Sequence, residues 1–144
     1  SALPGGRNHW DEAGGVPQKP LMTAAELRQW VDGGMELGAH SRHHLDLSTL
    51  DDAAARAQIA GSRQELQDLT GHEVRHFCYP YGRYNPAHVH MVQEAGYETA
   101  TTTRRGRARA GDPLLELHRV LIAHSNPLLL FAAKTLGGYE DRYR

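Results

Sequence analysis

Apolar positions along this chain recur with two different periods, and the two periods alternate. Thr23-Ala24-Ala25-Glu26 has the spacing of a capping box, in which the threonine oxygen and the glutamate each satisfy a backbone N–H. It predicts a helix running through Leu27, Trp30 and Val31 to a stop at Gly33-Gly34. Met35, Leu37 and Ala39 then alternate with Glu36 and Gly38, which predicts a strand ending near His40. Ser41 to Thr49 is polar. Ala55, Ile59, Leu66 and Leu69 return to a helical period, so Asp51 to Leu69 is a helix closed by Gly71. Glu73 to Tyr79 reads as a strand entering the turn Pro80-Tyr81-Gly82.

The second half repeats the alternation. Pro86 starts a helix that carries Val89, Met91 and Val92 and stops at Gly96. Tyr97 to Thr102 and Leu117 to Ala123 read as strands, separated by a basic, glycine-bearing loop from Arg104 to Asp112. Pro127 to Leu136 reads as an apolar helix ending at Gly137-Gly138. Residues 1 to 20, with Pro4-Gly5-Gly6-Arg7-Asn8, predict an irregular loop, and residues 139 to 144 a polar tail. Alternating strands and helices predict an α/β domain with a parallel sheet.

Length and composition narrow the class. At 144 residues there is room for one domain. Sixteen Lys and Arg against 17 Asp and Glu leave a net charge of -1, so neither a nucleic acid nor a membrane surface is the expected partner. No apolar run approaches the roughly 20 residues that span a bilayer. One cysteine, Cys78, excludes an internal disulfide framework and a cysteine-built zinc cage. The chain opens on Ser1-Ala2 with no signal-peptide pattern, as a processed chain or an excised piece would. The compartment stays unknown. The unusual figure is ten histidines.

Three segments gather chemistry at predicted strand ends, where α/β folds place their ligand sites. His40 ends the first strand and His44 follows four residues later, a spacing that lets two imidazoles share a metal ion. His43 between them points elsewhere. Phe77 to Asn85 contains the stiff turn Tyr79-Pro80-Tyr81-Gly82, whose N–H groups suit an oxyanion and whose aromatics suit a sugar face. His124 follows the last strand, where an imidazole can protonate a leaving group. Each segment alone is more simply read as structural. Their succession in chain order gives them weight.

With these motifs the chain resembles the polysaccharide deacetylases, carbohydrate esterase family 4, also called the NodB-homology family. That family's His-(Ser/Thr)-x-x-His motif is matched by His40-Ser41-x-x-His44, set within Gly34-Met35-Glu36-Leu37-Gly38-Ala39-His40. Its Pro-Tyr-Gly turn is matched by Tyr79-Pro80-Tyr81-Gly82, and its Leu-x-His motif loosely by Ile122-Ala123-His124. Gly5 to Asp11 and Gly138 to Asp141 also look like one branch of it. The resemblance implies a deformed (β/α) barrel. It also implies hydrolysis of N-acetyl or O-acetyl groups on a polysaccharide or oligosaccharide. His40 and His44 would hold Zn2+ or another divalent metal, the Tyr81 N–H would face the oxyanion, and His124 would be the acid. Tyr79, Pro80, Tyr81 and Trp10 would contact sugar.

The departures are as specific. The family's Thr-Phe-Asp-Asp-Gly motif, source of the third ligand and the base, is absent. Asp51-Asp52 does not replace it, because it begins a helix and favours the helix dipole. Cys78 stands where the family's turn carries arginine, and His118 rivals His124 for the acid role. The expectation is therefore an incomplete barrel, its N-terminal strands missing, that binds metal poorly and hydrolyses little. Its open sheet edge would invite a homodimer. The alternative is a non-catalytic carbohydrate-binding or scaffold domain on the same fold. The Arg104 to Arg109 loop is expected to be solvated, with contact to an acidic glycan as its second reading.

Overall fold

The computed structural model describes residues 4–143. Helices and strands alternate through α1 Ala24–Asp32, β1 Gly38–Ala39, α2 Asp52–Thr70, β2 His76–Cys78, α3 Pro86–Glu94 and β3 Thr99–Arg105; β4 Leu117–Arg119 follows β3 with only the 3-10 turn Leu114–Glu116 between, and α4 Leu128–Thr135 comes after it. The strands form one parallel sheet in the order β1-β2-β3-β4. Gly38 pairs with His76, which pairs with Thr99, and Cys78 pairs with Thr101, which pairs with Leu117. The result is an arc of a (β/α) barrel rather than a closed ring of eight strands. No helix among the described residues is long and apolar enough to cross a membrane.

Local chemistry explains the helices. Thr23 and Glu26 form the predicted capping box. Asp51 caps α2 by accepting from the Ala54 N–H, and Gly71 ends it with φ 72°. Successive strand residues face opposite sides of a sheet. Ala39, Phe77 and Ala100 therefore turn one way, joining Ala55, Ile59 and Leu66 of α2 and Met91 and Val92 of α3 in one core. The other face carries His76, Cys78, Thr99 and Thr101, all only half-buried.

Four expectations change. Residues 1 to 20 are not simply irregular: a 3-10 helix spans His9–Gly14, and Arg7 bridges Pro20. The strand predicted to reach Ala123 stops at Arg119, because β3 ends at Arg105 and the Gly106 N–H to Arg119 carbonyl bond is the last link between them. The tail is not free. Glu140 is buried, paired with Arg105 and with Lys134 at 3.2 Å. The basic stretch is not a free loop either: Arg104 and Arg105 belong to β3, Arg104 meets Glu116, and Arg107 and Arg109 meet Asp141.

Candidate functional site

The C-terminal ends of β1 and β2 bring two of the singled-out segments together. β1 delivers His40, and the chain then turns through Ser41 at φ 61° to reach His44 at φ 56°. β2 leads to Tyr81, also at φ 56°. Among the described residues these are the three non-glycine residues with positive φ. Such backbone costs on the order of 1–3 kcal/mol per residue and concentrates at functional sites. Ser41 is fully buried beneath the loop, which keeps the strained path in place.

The two imidazoles lie with ring centroids 4.7 Å apart. His40 Nδ1 donates to the Cys78 carbonyl oxygen at 2.6 Å. A carbonyl can only accept, so Nδ1 carries the proton and Nε2 is left for another partner. His44 is enclosed by three rings: Trp10 stacks on it at 4.8 Å, Tyr81 meets it edge-on at 4.7 Å, and His40 completes the set. Its Nδ1 is buried without a hydrogen-bond partner. Burial, then the neighbouring His40 charge, pushes the His44 pKa below its ordinary value, with Asp11 opposing. His44 is thus kept neutral, the form that ligates a metal.

This donor set fits a divalent metal in part. It offers the His40 Nε2 lone pair and an unengaged buried nitrogen on His44. Among the described residues no group of three or more His, Cys, Asp or Glu side chains is arranged to hold a metal ion. A catalytic zinc site ordinarily takes three protein ligands. The pair is half of such a shell.

The turn at Pro80 supplies the other face. The N–H groups of Gly82 and Arg83 close it on the carbonyls of Tyr79 and Pro80, whereas that of Tyr81 takes no part in the closure. The Tyr81 ring is half-exposed beside His44. Tyr79 and Pro80 do not present side chains to a ligand as the aromatic reading of this turn expected. Both are buried, and the Tyr79 hydroxyl donates to the Leu115 carbonyl at 3.0 Å while its ring stacks on Tyr84. Tyr81 keeps its ring half-exposed, and Trp10 lines a cavity of about 270 Å³ with His40, His44, Leu37 and Leu66.

The third segment is not joined to the pair. His124 occupies an exposed turn after β4, where Asn126 Oδ1 accepts from the Ala123 N–H, and none of the contacts described here links it to His40 or His44. His118 is turned to the Arg105 carbonyl at 3.0 Å, and His43 is exposed.

Sequence reasoning did not find Arg119. Its guanidinium reaches across β3 to donate to Cys78 Sγ at 3.6 Å, on the strand whose carbonyl holds His40. Burial raises the Cys78 pKa, but bonds from His40 and Thr101 and the charges of His40 and Arg119 outweigh it and leave the thiol below its ordinary value. The contact depends on strand register, which no local pattern announces.

Comparison with known proteins gives a consistent picture. The polysaccharide deacetylase family model matches residues 8–100. YxkH of Bacillus subtilis (strain 168), named as a polysaccharide deacetylase, is 24% identical over 108 residues, covering 75% of this chain and 39% of that protein. The structure of BC0361, a polysaccharide deacetylase from Bacillus cereus, is 28% identical with a TM-score of 0.73, over 81% of this chain and 37% of that one. BA0330 from Bacillus anthracis matches with the same coverage, 26% identity and a TM-score of 0.74. The chain therefore spans about two fifths of the length of these relatives.

Proposed function

Since the chain belongs to the polysaccharide deacetylase family, we propose that it forms the His-His half of a metal-dependent site that hydrolyses acetyl groups on a polysaccharide or oligosaccharide. The observation that carries this reading is the state of the two imidazoles. His40 is fixed through Nδ1 by the Cys78 carbonyl, and His44 sits 4.7 Å away with a buried, unpartnered Nδ1. Unpaired buried nitrogens are costly, and a bound cation relieves that cost.

In this proposal His40 and His44 hold a divalent metal, which supplies an acidified water and polarises the acetyl carbonyl. The strained turn keeps the Tyr81 N–H out of its own hydrogen bonds and directed to a ligand, where it stabilises charge growing on the carbonyl oxygen. Tyr81 and Trp10 offer ring faces to a sugar. His124 is the proposed donor to the departing nitrogen or oxygen. The carboxylate base and third ligand come, in this reading, from polypeptide beyond these 144 residues, so the chain by itself is impaired.

The test is a zinc titration by calorimetry, with acetate release from N-acetylated chito-oligosaccharide followed in parallel. Micromolar or weaker zinc affinity with little turnover, lost in His44→Ala, is the expected result. Zinc affinity unchanged in His44→Ala overturns the ligand assignment. Submicromolar zinc affinity with rapid turnover overturns the impairment. Binding of the oligosaccharide without zinc binding or turnover transfers the protein to the non-catalytic carbohydrate-binding reading.

A further inference from the structure

The arginines of this chain are matched to carboxylates with few exceptions. Arg42 meets Glu65, Arg63 meets Glu73, Arg75 meets Glu36 and Arg83 meets Asp46. The basic stretch after β3 is neutralised in the same way by Glu116, Glu140 and Asp141. An acidic-glycan contact on that stretch, one of the two readings its sequence allowed, would have to displace these partners.

Arg119, like Arg7 and Arg28, meets no carboxylate among the described residues; its hydrogen bond goes to the Cys78 thiol. It is exposed, yet it lines a cavity of about 470 Å³ with Thr103, Arg105, Val120, Leu121 and Ile122. Arg105, the other cation on that wall, is held by the buried Glu140 through two nitrogens at 2.8 and 3.0 Å. A planar cation bound to a thiol and to no carboxylate therefore lines a space large enough for sugar residues, together with Val120, Leu121 and Ile122. It touches Cys78, whose carbonyl orients His40, so one residue of β2 links this guanidinium to the imidazole pair. A guanidinium recognises a carboxylate through paired hydrogen bonds and keeps its charge at any physiological pH.

We infer that Arg119 anchors a carboxylate-bearing sugar beside the site, so that the preferred substrate class is an acidic acetylated polysaccharide rather than a neutral one. This rests on the deacetylase reading for what the neighbouring imidazoles do, but the carboxylate contact is measured by binding alone. Thr103 and the Val120 to Ile122 backbone supply the remaining polar and apolar surface of the subsite.

The experiment compares binding of the 144-residue chain to an N-acetylated, glucuronate-containing tetrasaccharide and to neutral tetra-N-acetylchitotetraose. The expected result is about tenfold tighter binding of the acidic sugar at low salt, as a charge-assisted pair in a partly wet cavity gives. Salt should erode the preference. Arg119→Gln should abolish it, and Arg119→Lys should keep part of it. Equal binding of the two sugars, no binding of either, or an undiminished preference in Arg119→Gln overturns the inference. Should Arg119→Gln not fold, judged by its thermal melt, a preference that persists unattenuated at high salt overturns it instead. Zinc affinity unchanged in His44→Ala ends the deacetylase reading of the imidazoles and leaves the binding comparison intact.

Discussion

His40 Nδ1 donates to the carbonyl oxygen of Cys78 at 2.6 Å, so one backbone group on β2 fixes the tautomer of the imidazole that follows β1. The neighbouring His44 has its Nδ1 buried without a hydrogen-bond partner and packs against the rings of Trp10 and Tyr81. The two ligands should therefore respond differently to mutation. Trp10→Ala should weaken zinc binding by roughly tenfold, the usual cost of loosening a ligand's outer support. His40→Ala and His44→Ala should each abolish it. Calorimetry on the three variants checks this, and equal zinc affinity in Trp10→Ala and the parent would show that ring packing does not orient His44.

Gly82 sits at φ +66°, and a Cβ there would come within 2.7 Å of Thr103 Cβ and overlap the threonine oxygen as well. The turn carrying Tyr81 thus lies against β3 closely enough that only glycine fits. Gly82→Ala combines left-handed strain with overpacking and should cost about 2–5 kcal/mol. Urea denaturation measures it, and a loss under about 0.5 kcal/mol would mean the turn is not pressed onto the strand. Thr103→Gly in the same chain should recover part of the loss.

What was legible in the sequence follows from the range of the interactions. Helix α2 was written locally, in the period of Ala55, Ile59 and Leu66 and in the caps Asp51 and Gly71. The His40–His44 contact was legible because both residues ride one strand end and the loop after it. The stacking of Trp10 on His44 and the reach of Arg119 to Cys78 were not, since they join residues 34 and 41 positions apart. β4 was overestimated because β-branched character marks a residue's preference, whereas a strand's length is set by its partner, and β3 ends at Arg105. Glu140 was read as part of a polar tail because composition cannot say that Arg105 and Lys134 wait for it.

β1 is two residues long and, among the described residues, pairs on one side only, with β2. The cavity lined by Trp10, His40 and His44 opens next to that edge, with Gly38 on its wall. Edges of this kind recruit strands. The isolated chain should therefore associate as its concentration rises, and Gly38→Lys should return it towards monomer. Space permits the substitution, as a Cβ at Gly38 meets nothing closer than 3.5 Å. Light scattering across a concentration series decides; a monomer at every concentration removes the open edge as a pairing surface.

His88 links acid stability to one helix start. Its Nδ1 accepts from the Asn85 N–H at 3.2 Å while its own N–H donates to Asn85 Oδ1 at 3.0 Å. The ring is buried, and burial lowers its pKa from 6.5 against the opposing charges of Asp52 and Asp46. A proton on Nδ1 would turn the acceptor into a donor and break the capping box. Above about pH 6.5 both folded and unfolded chains carry a neutral ring, so nothing is lost. Below it the unfolded chain takes up the proton first, and stability falls until the pH passes the lowered folded value. His44, lowered for the same reason, adds to the same acid limb. Urea unfolding between pH 7.5 and 5 should show the decline beginning near 6.5, with His88 contributing about 1 kcal/mol, the worth of an N-cap. His88→Gln keeps an acceptor at that position and should flatten part of the limb, and an identical pH profile in that variant would place the proton elsewhere.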